Sequence, residues 1–148
     1  MSRAVIHRHA PHAEALGIAR LADHCFIVTG DGYASVEPSA GRNVHGVLWR
    51  LTLRDRVTLD AWKGIVAGTY RAEYLRVCLQ GRAVSRTALV YRARPGPIGA
   101  PRVGYMELVI AAAQEWALPL DYIASLRRWL PGAEGRAATQ KRREFRWR

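Results

Sequence analysis

Residues 43–70 read N-V-H-G-V-L-W-R-L-T-L-R-D-R-V-T-L-D-A-W-K-G-I-V-A-G-T-Y, and the fold turns on how this stretch is divided. Residues 44–51 are rich in β formers and alternate in part, which predicts a strand. Thr52 carries a short side-chain oxygen that can accept from the first turn of a helix, so it suits the N-cap of a helix over residues 53–62. Gly64 follows where a glycine in the left-handed conformation ends a helix. Gly68-Thr69-Tyr70 then opens a strand over residues 70–79. The stretch is therefore strand, short helix, tight turn, strand.

Working outward, S-R-A-V-I-H-R-H-A-P-H-A near the start predicts a short helix. It ends near Pro11, because a proline disfavours helix in the residue before it. H-C-F-I-V-T predicts a strand over residues 24–29, and Gly30-Asp31-Gly32 a turn. Residues 33–37 read as a short strand and P-S-A-G-R, residues 38–42, as another turn. Downstream, Gly81 marks a turn before a strand over residues 82–92. R-P-G-P-I-G-A-P, residues 94–101, is a loop. Apolar residues at helical spacing predict helices over 103–116 and 121–129, parted by Leu118-Pro119 and stopped by Pro131-Gly132. Strands first, one helix inserted and two at the end predict an α+β fold: a small mixed or antiparallel β-barrel with helices packed outside.

The length of 148 residues suits one compact domain. A hydrophobic content of 49% with 24% charged residues argues against wholesale disorder. No apolar run approaches the roughly 18 residues of a spanning helix, and the N-terminus lacks the apolar core of a signal peptide. The expectation is a soluble, cytoplasmic chain with no membrane partner. Cys25 and Cys78 sit in apolar runs and read as buried free thiols, with a disulfide as the alternative. They are too few for a thiolate zinc site. His7, His9 and His12 are dense enough to suggest metal, but Pro11 breaks any regular face and no acid or thiol lies nearby, so they read as surface or pocket-edge residues. His45 reads as a strand residue. No metal and no cofactor are expected.

The net charge of +11 admits nucleic acid, an anionic membrane or an acidic ligand as partner. Much of it lies in residues 136–148, which hold six basic residues. The chain is divided accordingly into a domain over residues 1–132 and a basic, disordered tail over 133–148. Its R-E-F-R-W-R end interleaves arginine with aromatics and could bind nucleic acid through phosphates and stacking. A solvated tail is the plainer reading.

V-H-G-V-L-W, then L-D-A-W-K-G, then G-T-Y, taken in this order and spacing, resemble the core of the γ-glutamylcyclotransferase-like family. That family reads V-x-G-x-x-W, L-D-x-x-E-G and G-x-Y. The run P-R-V-G-Y-M-E-L-V-I-A-A-A-Q-E-W-A-L-P-L-D-Y-I-A-S-L matches its C-terminal pattern. The likeness covers residues 1–131. It implies a small β-barrel with a cavity at one end, where a γ-glutamyl amine or peptide binds. The α-amino group attacks the γ-carbonyl and releases 5-oxoproline and the amine, with a glutamate as general base. A Y-G-S loop after the first strand holds the α-carboxylate on backbone N–H groups. Tyrosines matching Tyr70 and Tyr105 line the pocket, and Gly46 and Trp62 belong to the matched motifs around it.

Two departures follow. Lys63 stands at the position of the catalytic glutamate. An ordinary lysine is protonated near neutral pH, cannot accept a proton and repels the ammonium that must react. Desolvation could make it a base, or it could simply cap the helix C-terminus. Asp60 and Glu73 are the neighbouring acids; Asp60 is placed to pair with Lys63 along the helix. Second, Met1-Ser2-Arg3-Ala4-Val5-Ile6 resembles the residues just after the Y-G-S loop. The first strand and anion loop are thus expected to be missing, through a late start assignment or a truncated paralogue. The expected function is a family member impaired as a cyclotransferase, with a pocket of Lys63, Tyr70, Tyr105, Gly46 and Trp62 for a small γ-glutamyl or other anionic ligand. The alternatives are an enzyme with altered chemistry built on Lys63, and a non-catalytic ligand- or nucleic-acid-binding module.

Overall fold

The computed structural model describes residues 2–132; the expectations of a disordered tail and of nucleic-acid contacts through it fall outside these residues. Eight elements follow one another: α1 (Arg3–His9), β1 (Glu14–Val28), β2 (Ala34–Arg50), α2 (Leu53–Trp62), β3 (Tyr70–Leu79), β4 (Ser85–Ala93), α3 (Tyr105–Glu115) and α4 (Leu120–Arg127). The strands form one antiparallel sheet in the order β2-β1-β3-β4.

The α+β expectation holds, but the sheet is neither mixed nor a closed barrel. β1 pairs with β2 along most of its length. It meets β3 at only two positions, Ala19 with Leu79 and Arg20 with Cys78. The edge strands β2 and β4 are tied by side chains instead of a ladder. Arg92 Nε donates to the Val36 carbonyl at 3.1 Å, and the Ala93 N–H donates to Ser35 Oγ at 2.9 Å. The sheet therefore does not close through a continuous ladder, and β1 and β3 share only the two-pair joint.

Two strands are longer than the sequence predicts. β1 begins at Glu14, well before His24, and β2 runs unbroken through Pro38–Arg42. The predicted turn is a bulge. Ala22 pairs with Asn43 and His24 with Pro38, so residues 39–42 loop out of register. Asp23, at φ 54°, accepts from the Gly41 N–H at 2.8 Å and closes the bulge.

Three apolar clusters hold the elements together. Met106, Ile110 and Ala113 of α3 pack with Leu118 and with Tyr122, Ile123 and Leu126 of α4 against Val28. Met106 and Leu126 are fully buried, each contributing about 2–3 kcal/mol of transfer free energy. Ala19, Leu21, Val77, Leu79 and Ala88, from β1, β3 and β4, pack together on the sheet. Ala10, Ala13 and Leu59 join α1 to α2, with Trp49 and Tyr91 against them. Cys25 and Cys78 are free and half-buried. No helix among the described residues is long and apolar enough to cross a membrane.

Candidate ligand cleft and the Lys63 position

The C-terminal end of α2 is built as its sequence predicts. Gly64 takes φ 62°. Its N–H donates to the Ala61 carbonyl, and the Ile65 N–H reaches back to Asp60 O, both at 3.0 Å. This pair of bonds is the glycine-terminated closure that satisfies the last carbonyls of a helix. Lys63 is the C-cap residue, with its own N–H donating to Leu59 O at 2.8 Å. Its backbone ends the helix, and its side chain goes elsewhere.

The Lys63 ammonium lies against two rings, with Nζ 4.4 Å from the centroid of Trp62 and 4.9 Å from that of Tyr70. Among the described residues no carboxylate pairs with it. Burial pulls its amine below the usual lysine range.

The two neighbouring acids are engaged. Asp60 does not pair with Lys63. It accepts from Arg56 Nε at 2.8 Å and from the Tyr91 hydroxyl at 2.6 Å. Burial alone would raise the Asp60 carboxyl, but the Tyr91 hydroxyl and the Arg56 guanidinium outweigh it and hold it below the usual carboxylate range. Glu73 is shared between Arg71 and Arg92, the latter at 2.6 Å.

Tyr70 opens β3 and forms part of the wall of a cleft of about 620 Å³. One wall is the β1–β2 turn with Asp31 and Tyr33, continued by Glu37. The other is the turn before β3 and the loop after β4, with Gly68, Tyr70 and Arg94. The walls are pinned to each other. Gly99 N–H donates to Val28 O at 3.0 Å, and Arg102 N–H to Gly32 O at 3.2 Å. Tyr70 donates its hydroxyl to the Ala34 carbonyl at 3.0 Å, while the Ala34 N–H donates to the Tyr105 hydroxyl oxygen at 3.2 Å. Two tyrosines thus grip one residue at the start of β2, and Tyr33 stands edge-on to Tyr105 at 5.4 Å. Burial, reinforced by Tyr105, Asp31 and Tyr33, pushes the Tyr70 phenol up to about 12. It is a proton donor at neutral pH.

The structure brings Lys63, Trp62 and Tyr70 together, with Tyr105 joined to Tyr70 through Ala34. Of these four, Tyr70 alone is in the cleft lining, and Lys63 adjoins the cleft through the Tyr70 ring. Trp62 lies outside the cleft lining and stacks on His9 at 4.1 Å. Gly46 lies on β2 opposite Ala19, outside the lining. The histidines of the first segment part to separate partners. His7 meets Ala13 O and the edge of Trp49, His9 stacks on Trp62, and His12 reaches Asp55. His45 is half-buried beside Tyr122. No cluster of three metal-ligating side chains occurs among the described residues.

Arg94 is the cleft residue that sequence reasoning passes over. Its guanidinium lies on Gly68, where a β-carbon would come within 2.4 Å of it. Gly68 takes φ 74° and leaves that space open. The only sequence signal is an arginine opening a proline-rich loop.

The model of the AIG2-like family matches residues 43–126. A human γ-glutamylcyclotransferase is 29% identical over 98 residues, which is 65% of this chain and 50% of that protein. The chain thus spans half the length of this curated relative. A solved structure of a γ-glutamyl cyclotransferase superposes with a TM-score of 0.77 at 25% identity, over 84% of this chain and 79% of the other. The crystal structure of an uncharacterized human protein gives 0.76 at 26% identity, over 82% and 78%. The motif order in residues 43–70, the antiparallel sheet with its helices and these likenesses agree: the chain belongs to the AIG2-like family, as a γ-glutamylcyclotransferase-like member.

Proposed function

We propose that the cleft beside Tyr70 binds a small γ-glutamyl or other anionic ligand, and that cyclisation to 5-oxoproline is impaired in this chain. The observation that carries this reading is the Lys63 ammonium against the Trp62 and Tyr70 rings, at the position where the family it resembles carries its general base. Cyclisation requires an α-ammonium to lose a proton before its nitrogen attacks the γ-carbonyl. A charged Lys63 cannot take that proton and repels the group that must give it up. Asp60 and Glu73 offer no substitute while each is held by arginine. Arg94 supplies a cation for a ligand carboxylate, and the Tyr33 and Tyr70 rings supply apolar walls.

The test is a panel of γ-glutamyl amines and dipeptides, with 5-oxoproline followed by mass spectrometry and binding by calorimetry. The wild type is expected to bind without releasing 5-oxoproline, Lys63→Glu to raise release above the wild-type level, and Arg94→Ala to weaken binding. Turnover by the wild type that Lys63→Glu leaves unchanged would overturn the proposal.

A further inference from the structure

Of the 23 basic residues, 21 are arginine; the two lysines are Lys63 and Lys141. A chain that places arginine at nearly every cationic position keeps a lysine at the end of α2. The two side chains differ in one decisive property. A guanidinium stays charged in proteins, whereas an ammonium can shed its proton and become a nucleophile. A site that needed only positive charge, a cation over aromatic rings or a helix-end cation would be served by arginine as well.

The surroundings raise the fraction of the amine that is neutral at a given pH, and that fraction is the one that reacts, although the ammonium remains the main form near neutral pH. Nζ has aromatic faces on Trp62 and Tyr70 in place of part of its water shell, and no carboxylate among the described residues compensates the charge. Arg94 abuts the same turn: its guanidinium lies on Gly68, and its N–H donates to the Thr69 carbonyl at 3.4 Å. No described carboxylate pairs with Arg94 either. Asp31 and Glu37 also line the cleft, which favours a ligand with a single carboxylate over a polyanion.

We propose that Lys63 is an amine nucleophile that captures a small aldehyde or 2-oxo acid bearing one carboxylate as a Schiff base. The nitrogen lone pair attacks the carbonyl carbon and the C=O π pair moves to oxygen, which takes a proton from water. The nitrogen, which now carries two protons, gives one to the hydroxide so formed and the other, through water, to the new hydroxyl, which leaves as water as the nitrogen lone pair forms C=N. One water is released, and no oxidant or reductant is consumed. The reaction does not depend on whether the cleft takes a γ-glutamyl ligand, so the two proposals fail separately.

The full chain is treated near neutral pH with glyoxylate and cyanoborohydride, which reduces the imine to a stable secondary amine, and the sites are mapped by peptide mass. Lys141 and the terminal amine serve as internal references. Lys63 should label about tenfold faster than Lys141 although Lys63 is partly buried, and denaturant should erase the difference. Lys63→Arg should abolish that label with its thermal melt unchanged. Propionaldehyde, which lacks the carboxylate, should label Lys63 more slowly than glyoxylate, and Arg94→Ala should remove that preference. Lys63 labelling no faster than Lys141 with either aldehyde would overturn the nucleophile. Equal labelling by the two aldehydes would overturn the carboxylate requirement.

Discussion

At the N-terminal end of α2, Asp55 is almost wholly buried and every lone pair is in use, whereas at the C-terminal end the Lys63 amine has no acid paired with it among the described residues. Asp55 accepts from the Thr52 hydroxyl at 2.8 Å and the Thr52 N–H at 3.2 Å, and from the N–H and ring of His12 at 3.4 Å. The Thr52 oxygen accepts the Asp55 N–H in return at 3.1 Å. This reciprocal cap satisfies first-turn donors that would otherwise be orphaned, and through His12 it ties α2 to the segment after α1. The other end has a satisfied backbone and an unsatisfied side chain. One end of the helix spends its polar groups on holding the fold. The other holds one in reserve, and a reactive group is found where structure does not consume it.

That contrast can be broken at either end. The largest effect is expected for Asp55→Ala, which removes the cap and the His12 tie together; thermal melts followed by circular dichroism should show a loss of roughly 10 °C. A loss no greater than that of Thr52→Ala would mean that the His12 contacts are idle. Thr52→Ala should itself cost about 1 kcal/mol in a urea titration. Both acids of the helix sharpen the comparison at low pH. Burial would raise the Asp55 carboxyl, but bonds from Thr52 and His12 hold it low, and Asp60 is held low too. Their contribution is present above the ordinary carboxylate range near about 4 and is lost as pH falls through their depressed folded values. Acid titration of Asp55→Ala should therefore show a shallower loss than the wild type.

Lys63 gives the smallest effect and the opposite sign. At neutral pH, Lys63→Met should change stability by no more than about 0.5 kcal/mol, since the lost ring contacts offset the relieved desolvation. Its amine is depressed in the fold. Between that folded value and the ordinary lysine value near about 10.4, the unfolded chain holds more protons, so wild-type stability should rise with pH relative to Lys63→Met. A flat difference across that alkaline window would mean that the ammonium is fully hydrated in the folded protein.

What was legible in the sequence is what local chemistry dictates. The Thr52 cap, the Gly64 stop and the Tyr70 strand are each decided within a few residues, and all are found where residues 43–70 place them. The early start of β1 was hidden because E-A-L-G-I-A-R-L-A is poor in β formers. A long ladder with β2 overrides that weak preference. P-S-A-G-R has the composition of a turn, and only a carboxylate on another strand, Asp23, makes it a bulge. The pairing of Asp60 with Arg56 and Tyr91 instead of Lys63, and the guanidinium of Arg94 on Gly68, depend on contacts across the fold that no spacing encodes.

The two-pair joint between β1 and β3 bears on the order of assembly. β1–β2 and β3–β4 are each closed by a short turn, and each can form from neighbours in sequence with little loop-closure entropy. The joint unites partners some sixty residues apart with two pairs and one further bond, from Gln80 N–H to Ile18 O. Two hairpins formed on the microsecond scale would thus wait for a slower docking step, completed by the joint, the β2–β4 side-chain ties and the apolar cluster they share.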